Sequence, residues 1–403
     1  PVEVLSISID NSTHIKASDR IVLQPAKQKP LDFKVQCFKL PEGFEWHEYL
    51  AKRISVNYEI VGATGILKAK CHKWSQPQID FFSKDIIRRK PNVEEFNFLL
   101  KDEDAKTITI KEGNWNIRQT LIVPKDYVLK GTGNIKLNLL NKSMILSYSP
   151  IELIGSEKHP VEIYSTDSTG MGILVMNSGS ASLLKQVRFN NLSNPSENDW
   201  KLTGAITFYQ APLKIEHCGF YQNRSEDALN IVRSGFAMEN CLFSGTSSDA
   251  FDTDFSSGTI SSTSFLDCGN EAIDISGGQV SVSDVLIDHP GDKGISVGEN
   301  GRVSIDKTEI RNAELAITSK DKSDVEIHDV RIIKSRVGFV VFEKKAEYGP
   351  ASMSVEGFRY EDLEVPYLLE KNSTLTIDGE SMKPGDYKVK DMLYGIKYGK
   401  SSK

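Results

Sequence analysis

A short motif of fixed apolar and polar positions recurs along the second half of the chain. It is Asp-Ala-Leu-Asn-Ile at 227–231 and Asp-Ala-Phe-Asp-Thr at 249–253, and it returns at positions 271, 293, 315 and 337. The spacing is 22 residues five times in succession, with Ala or Gly always second and a large apolar residue always third. A constant period of this kind is typical of repeat architectures, in which each repeat packs on the next.

Each repeat contains further strand-like stretches. Apolar and polar residues alternate at 280–284 and 303–306, and a third apolar position follows at Phe243 and Phe265. Alternation with a period of two predicts strands, and the intervening Gly, Asn, Ser and Asp predict turns. Three short strands per repeat, without helices, predict an all-β fold: a right-handed parallel β-helix whose strands stack about 4.8 Å apart.

The beginning of the chain lacks this period. Apolar and polar residues alternate at 5–9, 31–37 and 54–60, between turns rich in Pro and charged residues. We predict a small antiparallel β-sandwich-like domain with a linker or cap over residues 1–97, followed by the β-helix over 98–385, with coils of about 22 residues. A basic C-terminal tail over 386–403 is expected to fray or to link to another module.

Composition excludes several classes of function. The formal net charge is −6, and no basic stripe of the kind that binds nucleic acid is present. No apolar run approaches the length of a membrane span. The five cysteines are an odd number without a CxxC motif, so we expect neither a disulfide scaffold nor a structural zinc site. Because the chain starts at Pro1, we expect a processed product or a fragment.

The fourth residue of each motif should point away from the interior, because side chains alternate along a strand. This places Asn230, Asp252 and Asp274 one above another, with Asp249 and Asp254 on the same strand as Asp252. The carboxylates of neighbouring coils should then lie within about 5–10 Å of one another. Like charges at this distance raise each other's pKa values or recruit a cation.

Three interpretations of this carboxylate ladder remain open. One is a solvated polar face that keeps the coils soluble. Another is a calcium site, because Ca²⁺ takes oxygen ligands; the ligands would be Asp249, Asp252, Asp254 and Asp274. The third is a catalytic site in which a lysine or arginine removes a proton; the candidate catalytic residues are Lys293, Lys320, Asp274 and Arg233.

The start of the predicted β-helix resembles pectate-lyase-like proteins. There a strand precedes Gly113, an apolar strand leads to Pro124, and a further strand leads into Gly131. This resemblance implies the β-helix fold, and it implies a calcium-assisted polysaccharide lyase or C5-epimerase acting on uronic-acid polymers as one possible activity. Compared with polygalacturonases, Lys320 matches the family's lysine, whereas Lys293 stands where that family has histidine.

The repeats also resemble the β-helix regions associated with CotH-type kinase proteins of bacteria. The matching segments are 225–230, 248–252, 291–299 and 348–351. The resemblance implies a secreted or cell-surface bacterial protein that carries a CotH-type kinase module on the same polypeptide. The chain itself has neither a Gly-rich phosphate loop nor a DFG motif, so no kinase residue can be carried over.

Our first hypothesis is an extracytoplasmic β-helix protein that binds polysaccharide or cell-envelope glycan on its outward carboxylate-rich face without catalysis. Asn230 on that face and Trp200, which follows a polar loop, are the predicted glycan contacts. The alternatives are the calcium-assisted lyase or epimerase and a structural spacer attached to a CotH-type kinase module.

Overall fold

The structure is a computed structural model of the protein. It describes residues 1–9, 13–25, 37–39, 54–71, 86–197 and 200–393. The chain divides into two compact units, Pro1–Ser83 and Lys84–Lys403.

The first unit contains a small antiparallel sheet. In the described residues this sheet has four strands, ordered second, first, third and fourth along the chain. The strands are Val2–Ile9, Thr13–Leu23, Ile54–Ile60 and Leu67–Lys70. The antiparallel N-terminal sheet predicted from the alternation is confirmed, while the strand predicted at 31–37 lies almost entirely outside the described residues.

The second unit is the predicted right-handed parallel β-helix. Neighbouring coils pair strand on strand, and the 22-residue period is the pairing register, as Asp227 pairs with Asp249 and Val232 with Asp254. Successive strands turn through three faces, which we call sheets A, B and C. Two 3₁₀ turns, Ile86–Arg88 and Val93–Glu95, precede the first coil.

Sheet A contains the motif described above, and its strands are Leu121–Val123, Ile145–Ser147, Ile173–Met176, Gly204–Tyr209, Asp227–Val232, Asp249–Asp254, Ile273–Ser276, Lys293–Gly298 and Leu315–Lys320. Sheet B contains Thr107–Ile110, Val128–Thr132, Ile151–Ile154, Ser182–Lys185, Leu213–Glu216, Gly235–Glu239, Ser257–Ser261, Gln279–Ser283 and Thr374–Ile377. Sheet C contains Gly113–Ile117, Ile135–Leu139, Val161–Tyr164, Val187–Asn190, Gly219–Tyr221, Leu242–Ser244, Ser264–Cys268 and Leu286–Pro290.

Near the C-terminal end three long strands run across more than one face, and these are Arg302–Arg311, Asp324–Phe342 and Ser352–Leu369. The remaining strands, which pair antiparallel, are Leu99–Asp102, Ser196–Glu197, Trp200–Lys201 and Glu380–Ser381.

The interior of the β-helix is dry and apolar. The third residues of the motif, such as Leu229, Phe251 and Ile273, are fully buried in it. On sheet C, Phe243 stacks between Phe220 and Phe265, with ring centroids 4.3 and 4.9 Å away. Burial of such ladders provides the main stabilisation of the fold, because each coil buries the apolar face of the next.

The second residue of the motif is small because it sits at a crowded corner. A Cβ placed on Gly294 would lie 2.6 Å from the carbonyl oxygen of Ala316, closer than real Cβ contacts come. At Gly338 the same atom would lie 2.5 Å from the carbonyl oxygen of Pro366. Steric crowding therefore explains why nothing larger than Ala occurs there.

Three free cysteines lie inside the β-helix. Cys218 and Cys241 occupy equivalent positions on successive coils, and both are buried, as is Cys268. Burial raises the pKa of the Cys218 thiol well above its usual value, and it raises that of Cys268 to about 12. Unionised, buried thiols are inert, which agrees with a packing role.

The first part of the C-terminal tail is folded rather than frayed. It forms the helix Val389–Leu393, whose two terminal residues are buried against Val337, Val340 and Leu368. The spacing of four residues puts Val389 and Leu393 on one face of the helix, which explains the packing. None of the helices in the described residues combines the length and the apolarity that a membrane-spanning helix needs.

Candidate functional site

A single row of side chains runs along the outer surface of sheet A. Its members pair coil by coil in the sheet register, and in order they are Ile122, Leu146, Leu174, Thr207, Asn230, Asp252, Asp274, Ser296, Thr318, Val340 and Leu368. The row is apolar at both ends and polar in the middle. The prediction that Asn230, Asp252 and Asp274 stack on the outer face is therefore confirmed.

Both apolar ends of this row are covered. At the N-terminal end, Ile86 and the half-buried Trp200 and Leu202 pack on Leu146 and Leu174. At the C-terminal end the helix Val389–Leu393 covers Val340 and Leu368. The polar middle of the row thus lies between two apolar covers.

We call this polar stretch of the outer face of sheet A the polar trough. It is lined by three parallel rows of side chains, which are Asp227, Asp249, Glu271 and Lys293; Asn230, Asp252, Asp274, Ser296 and Thr318; and Asp254, Ser276 and Lys320. Asn230, Ser296 and Thr318 are at most 2% exposed, whereas Asp252 and Asp274 in the same row are half-buried. Burying polar groups without apolar compensation costs stability, and such sites are candidates for function.

The acidic half of the trough is held by amide hydrogen bonds. Asn230 donates from Nδ2 to Asp252 Oδ2 at 2.8 Å and to Asp227 Oδ2 at 3.2 Å. Asp249 Oδ1 accepts from Asn270 Nδ2 and from the Glu271 backbone N–H, both at 2.7 Å. These contacts fix the carboxyl groups of two neighbouring strands, Asp227–Val232 and Asp249–Asp254, in place.

The basic half contains a buried ion pair. Lys293 Nζ lies 2.7 Å from Glu271 Oε1 on the preceding coil and also pairs with Asp292. Burial opposes the charge on Lys293, but the two carboxylates outweigh it and raise the pKa of the ammonium group. A raised pKa favours the protonated form of Lys293, and its catalytic role stays a prediction.

Lys320 reaches across two coils of sheet A. Its Nζ donates to Ser296 Oγ at 2.6 Å and lies 3.7 Å from Asp274 Oδ1. The side chain passes over Gly298, where a Cβ would come within 2.9 Å of Lys320 Cε. The missing side chain at Gly298 thus provides the space that lets Lys320 contact the centre of the trough.

The pKa values of the carboxyl groups in the polar trough differ widely from one another. Burial raises the pKa of Asp227 to about 7, and burial together with the charge of Glu271 raises that of Asp249 to about 8. The pKa values of Asp252 and Asp274 are also raised, mainly by burial and then by neighbouring carboxylates. Burial acts on Glu271 in the same direction, but Lys293 and Lys320 outweigh it and lower its pKa to about 2.

The calcium ligands predicted from the sequence do not converge. Asp249, Asp252 and Asp254 lie on one strand and Asp274 on the next, as expected. Among the residues that the structure describes, however, no three His, Cys, Asp or Glu side chains form a group that could hold a metal ion. Calcium binding by these four residues stays a prediction.

Two predicted residues lie apart from the trough. Arg233 is exposed at the turn after the strand Asp227–Val232, with a positive φ of 50°. Trp200 lies in the hairpin of Ser196–Glu197 and Trp200–Lys201 and packs on the N-terminal apolar cover. The register of the strands does not determine where the side chain of a turn or hairpin residue lies.

Sequence reasoning missed several members of the site. Asp227 and Glu271 are the first residues of their motifs, but the motif did not predict that their side chains are buried. The 22-residue spacing of Glu271 and Lys293 does signal that these two residues are in contact. The insertion at 343–350 also returns to this region, because Lys345 pairs with Glu299 and its backbone N–H donates to Asp321 Oδ1. Nothing in the spacing indicated that fold-back.

Comparison with known proteins supports the fold. A family model described as "Right handed beta helix region" matches residues 228–353. No curated protein sequence is significantly similar to this chain. A double mutant of the periplasmic alginate epimerase AlgG is 10% identical with a TM-score of 0.48, covering 76% of this chain and 98% of its own.

Two further solved structures show a similar likeness. The catalytic domain of a GH87 α-1,3-glucanase variant in complex with nigerose is 11% identical, with a TM-score of 0.41 over 94% of this chain and 84% of its own. The mannuronan C-5 epimerase AlgE4 A-module from Azotobacter vinelandii is 13% identical, with a TM-score of 0.41 over 72% of this chain and 100% of its own. The right-handed β-helix of this chain rests on its own strand pairing and on the family model that matches residues 228–353.

Proposed function

We propose that the polar trough binds a polysaccharide or cell-envelope glycan without cleaving it. The observation that carries this proposal is the polar middle of the outer row on sheet A, which is buried yet lacks the apolar packing of its two ends. From Asn230 to Thr318 the trough spans four strand spacings, or about 19 Å, which suits an oligosaccharide. Carboxyl and amide groups of this kind form hydrogen bonds with sugar hydroxyls.

The fixed positions of the trough side chains support binding over catalysis. Lys293 is held by Glu271 and Asp292, and Asn230 is held between Asp227 and Asp252. Preorganised polar groups of this kind favour specificity, because a ligand does not have to order them. A glycan ligand places the protein outside the cytoplasm, secreted or at a bacterial cell surface.

One observation favours a second candidate, a polysaccharide-acting enzyme such as a lyase or C5-epimerase. The pKa of Asp249 is raised to about 8 and that of Glu271 is lowered, so a proton donor and an ionised acceptor stand on adjacent strands. Divergent pKa values of neighbouring groups are typical of acid–base pairs. The role of a spacer beside a CotH-type kinase module on the same polypeptide stays a prediction.

The test combines binding and product analysis on one panel. Neutral, amine-bearing and uronic-acid oligosaccharides are titrated calorimetrically, and the same mixtures in heavy water, with and without calcium, are analysed by mass spectrometry. We expect saturable binding that Asp252→Asn weakens and that Asp306→Asn, a matched change on the outer face of sheet B, leaves intact. Cleaved or deuterated chains would instead establish the enzyme, and the absence of binding to every oligosaccharide would contradict the proposal.

A further inference from the structure

A groove lies on the outer face of sheet C, a different face of the β-helix from the polar trough. It forms where the strands Val161–Tyr164, Val187–Asn190 and Gly219–Tyr221 pair, and its volume is about 550 Å³. Its main lining side chains are Glu162, Tyr164, Arg188, Asn190, Tyr221 and Gln222. Binding sites for small ligands have volumes of about 300–1,000 Å³, so the groove is large enough for one.

Two half-buried tyrosines frame the groove. Tyr164 and Tyr221 pair with Asn190 from the coils on either side of it, so their Cα atoms stand two strand spacings, or about 9.6 Å, apart. The ring of Tyr221 lies over Gly219, where a Cβ would come within 2.6 Å of the ring carbon Cζ. The absence of a side chain at Gly219 thus lets this ring lie along its strand, and a tyrosine ring offers an apolar face with a polar hydroxyl, which suits a sugar ring.

The charges at the groove leave a positive excess. Glu162 Oε1 lies 2.9 Å from Lys136 Nζ, so this carboxylate already has a partner. Arg188 is exposed between Glu162 and Gly219, and it forms no hydrogen bond or ion pair with any residue that the structure describes. A guanidinium group binds carboxylate or sulfate oxygens through two parallel hydrogen bonds, so the groove is complementary to an anion.

Arg331 shows that the charge of Arg188 is particular to this groove. Both arginines belong to one row of sheet C, which the strand register continues through the intervening coils. The guanidinium group of Arg331 lies 3.3 Å from Glu309 and 3.4 Å from Glu361. The same row therefore holds one arginine between two carboxylates and one that faces a groove.

The amide groups of the groove favour a ligand rich in hydroxyl groups. The exposed side chains of Asn190 and Gln222 form no hydrogen bond with any described residue, and each amide offers donors and an acceptor together. A flat aromatic acid would use the tyrosine rings and Arg188 but would leave these amides without partners. A sugar ring can use all of them.

We propose that this groove binds a sugar ring that carries an anionic group, either a carboxylate or a sulfate. Arg188 binds the anion, the ring lies against Tyr221, and Asn190 and Gln222 bind its hydroxyl groups. This site is separate from the polar trough and does not depend on the function proposed for it.

The experiment titrates three tetrasaccharides calorimetrically into the intact protein at neutral pH. They are a galactose tetramer, a galacturonate tetramer and a sulfated galactose tetramer. We expect an anionic tetramer to bind about tenfold or more tightly than the uncharged one, with an advantage that shrinks as salt is added. The tighter of the two anionic tetramers identifies the anion.

Four variants place the binding on sheet C. Arg188→Gln should remove the preference for the anionic tetramers, whereas Arg331→Gln, the matched change in the same row, should preserve it. Tyr221→Ala should weaken the binding of all three tetramers about fivefold, because it removes the ring but not the charge. Asp252→Asn, in the polar trough, should leave the affinities for this site unchanged.

The outcomes distinguish this inference from the proposed function. Equal affinities for the three tetramers, no binding of either anionic tetramer, or an unchanged preference in Arg188→Gln overturns the inference. Binding that Asp252→Asn removes and Arg188→Gln leaves intact overturns it too, but supports the trough. Binding that only Arg188→Gln and Tyr221→Ala weaken supports the groove, even if no oligosaccharide binds the trough.

If Arg188→Gln does not fold, amide hydrogen exchange of the unsubstituted protein decides the question. An anionic tetramer should slow exchange in the three strands Val161–Tyr164, Val187–Asn190 and Gly219–Tyr221. Protection confined to other strands overturns the inference.

Discussion

The inner and outer surfaces of sheet A differ in the side chains that they stack. The inner surface stacks the fully buried Leu229, Phe251 and Ile273 in an apolar ladder, whereas the outer surface of the same strands stacks the buried Asn230 on the half-buried Asp252 and Asp274. The inner ladder stabilises the fold through apolar burial. The outer row has carboxyl groups with raised pKa values and buried acceptors without a hydrogen bond, features that lower stability and that the proposed binding role would account for.

The largest effect should come from cutting the inner ladder. Phe243→Ala removes a fully buried ring stacked between Phe220 and Phe265, so it should lower the free energy of unfolding by about 3–5 kcal/mol. Urea denaturation followed by circular dichroism measures the loss. Phe255→Ala, at a ring that is 50% exposed, should cost far less, and equal losses would show that the ladder is not special.

On the outer surface, breaking the buried ion pair should come next. Lys293→Met leaves Glu271 without its nearest ammonium group, and it should cost about 3 kcal/mol because a buried charge loses its partner. The double variant Lys293→Met with Glu271→Gln should recover most of that loss in the same denaturation assay. If the double variant is no more stable than the single one, the pair is not the source of the effect.

The outer surface should also make stability depend on pH. The pKa values of Asp227 and Asp249 are raised to about 7 and about 8 in the folded protein, so between about pH 4 and pH 8 the folded state holds protons that the unfolded chain has lost. Stability should therefore fall as the pH rises through this window. Denaturation at several pH values measures the slope, and Asp249→Asn should flatten it, whereas an unchanged slope would assign it to other groups.

The smallest effect should come from filling the space under Lys320. Gly298→Ala places a Cβ within 2.9 Å of Lys320 Cε, so it should displace the ammonium group from Ser296 and cost about 1 kcal/mol. Gly235→Ala is the matched control, since the nearest atom to its new Cβ lies 4.0 Å away. A Gly298→Ala variant as stable as this control would show that Lys320 does not depend on the gap.

The 22-residue repeat predicts most features of sheet A that depend on the strand register. The motif gave the strands of sheet A, the inward direction of Leu229 and the outward stacking of Asp252 on Asp274, because register in a β-helix is one period of sequence. The same spacing also brings Lys293 into contact with Glu271, although we did not predict that contact from the sequence.

What the sequence did not show depends on segments outside the period. The covers formed by Ile86 and by Val389 come from regions without the repeat, so no register places them on sheet A. The path of Lys320 over Gly298 depends on a rotamer that spans two coils. Asp227 and Asn230 are buried, although their strand position predicts only that Asn230 faces outward, which is why a solvated face was one of the expectations.

The cysteines of the β-helix offer a way to follow its opening coil by coil. Cys218, Cys241 and Cys268 are shielded within it, whereas Cys37 is exposed in the N-terminal unit. A thiol reagent should therefore label Cys37 in the folded protein. It should label Cys218, Cys241 and Cys268 only when their coils separate. Mass spectrometry of the labelled peptides would thus record the order in which the coils of the β-helix separate, without any engineered probe.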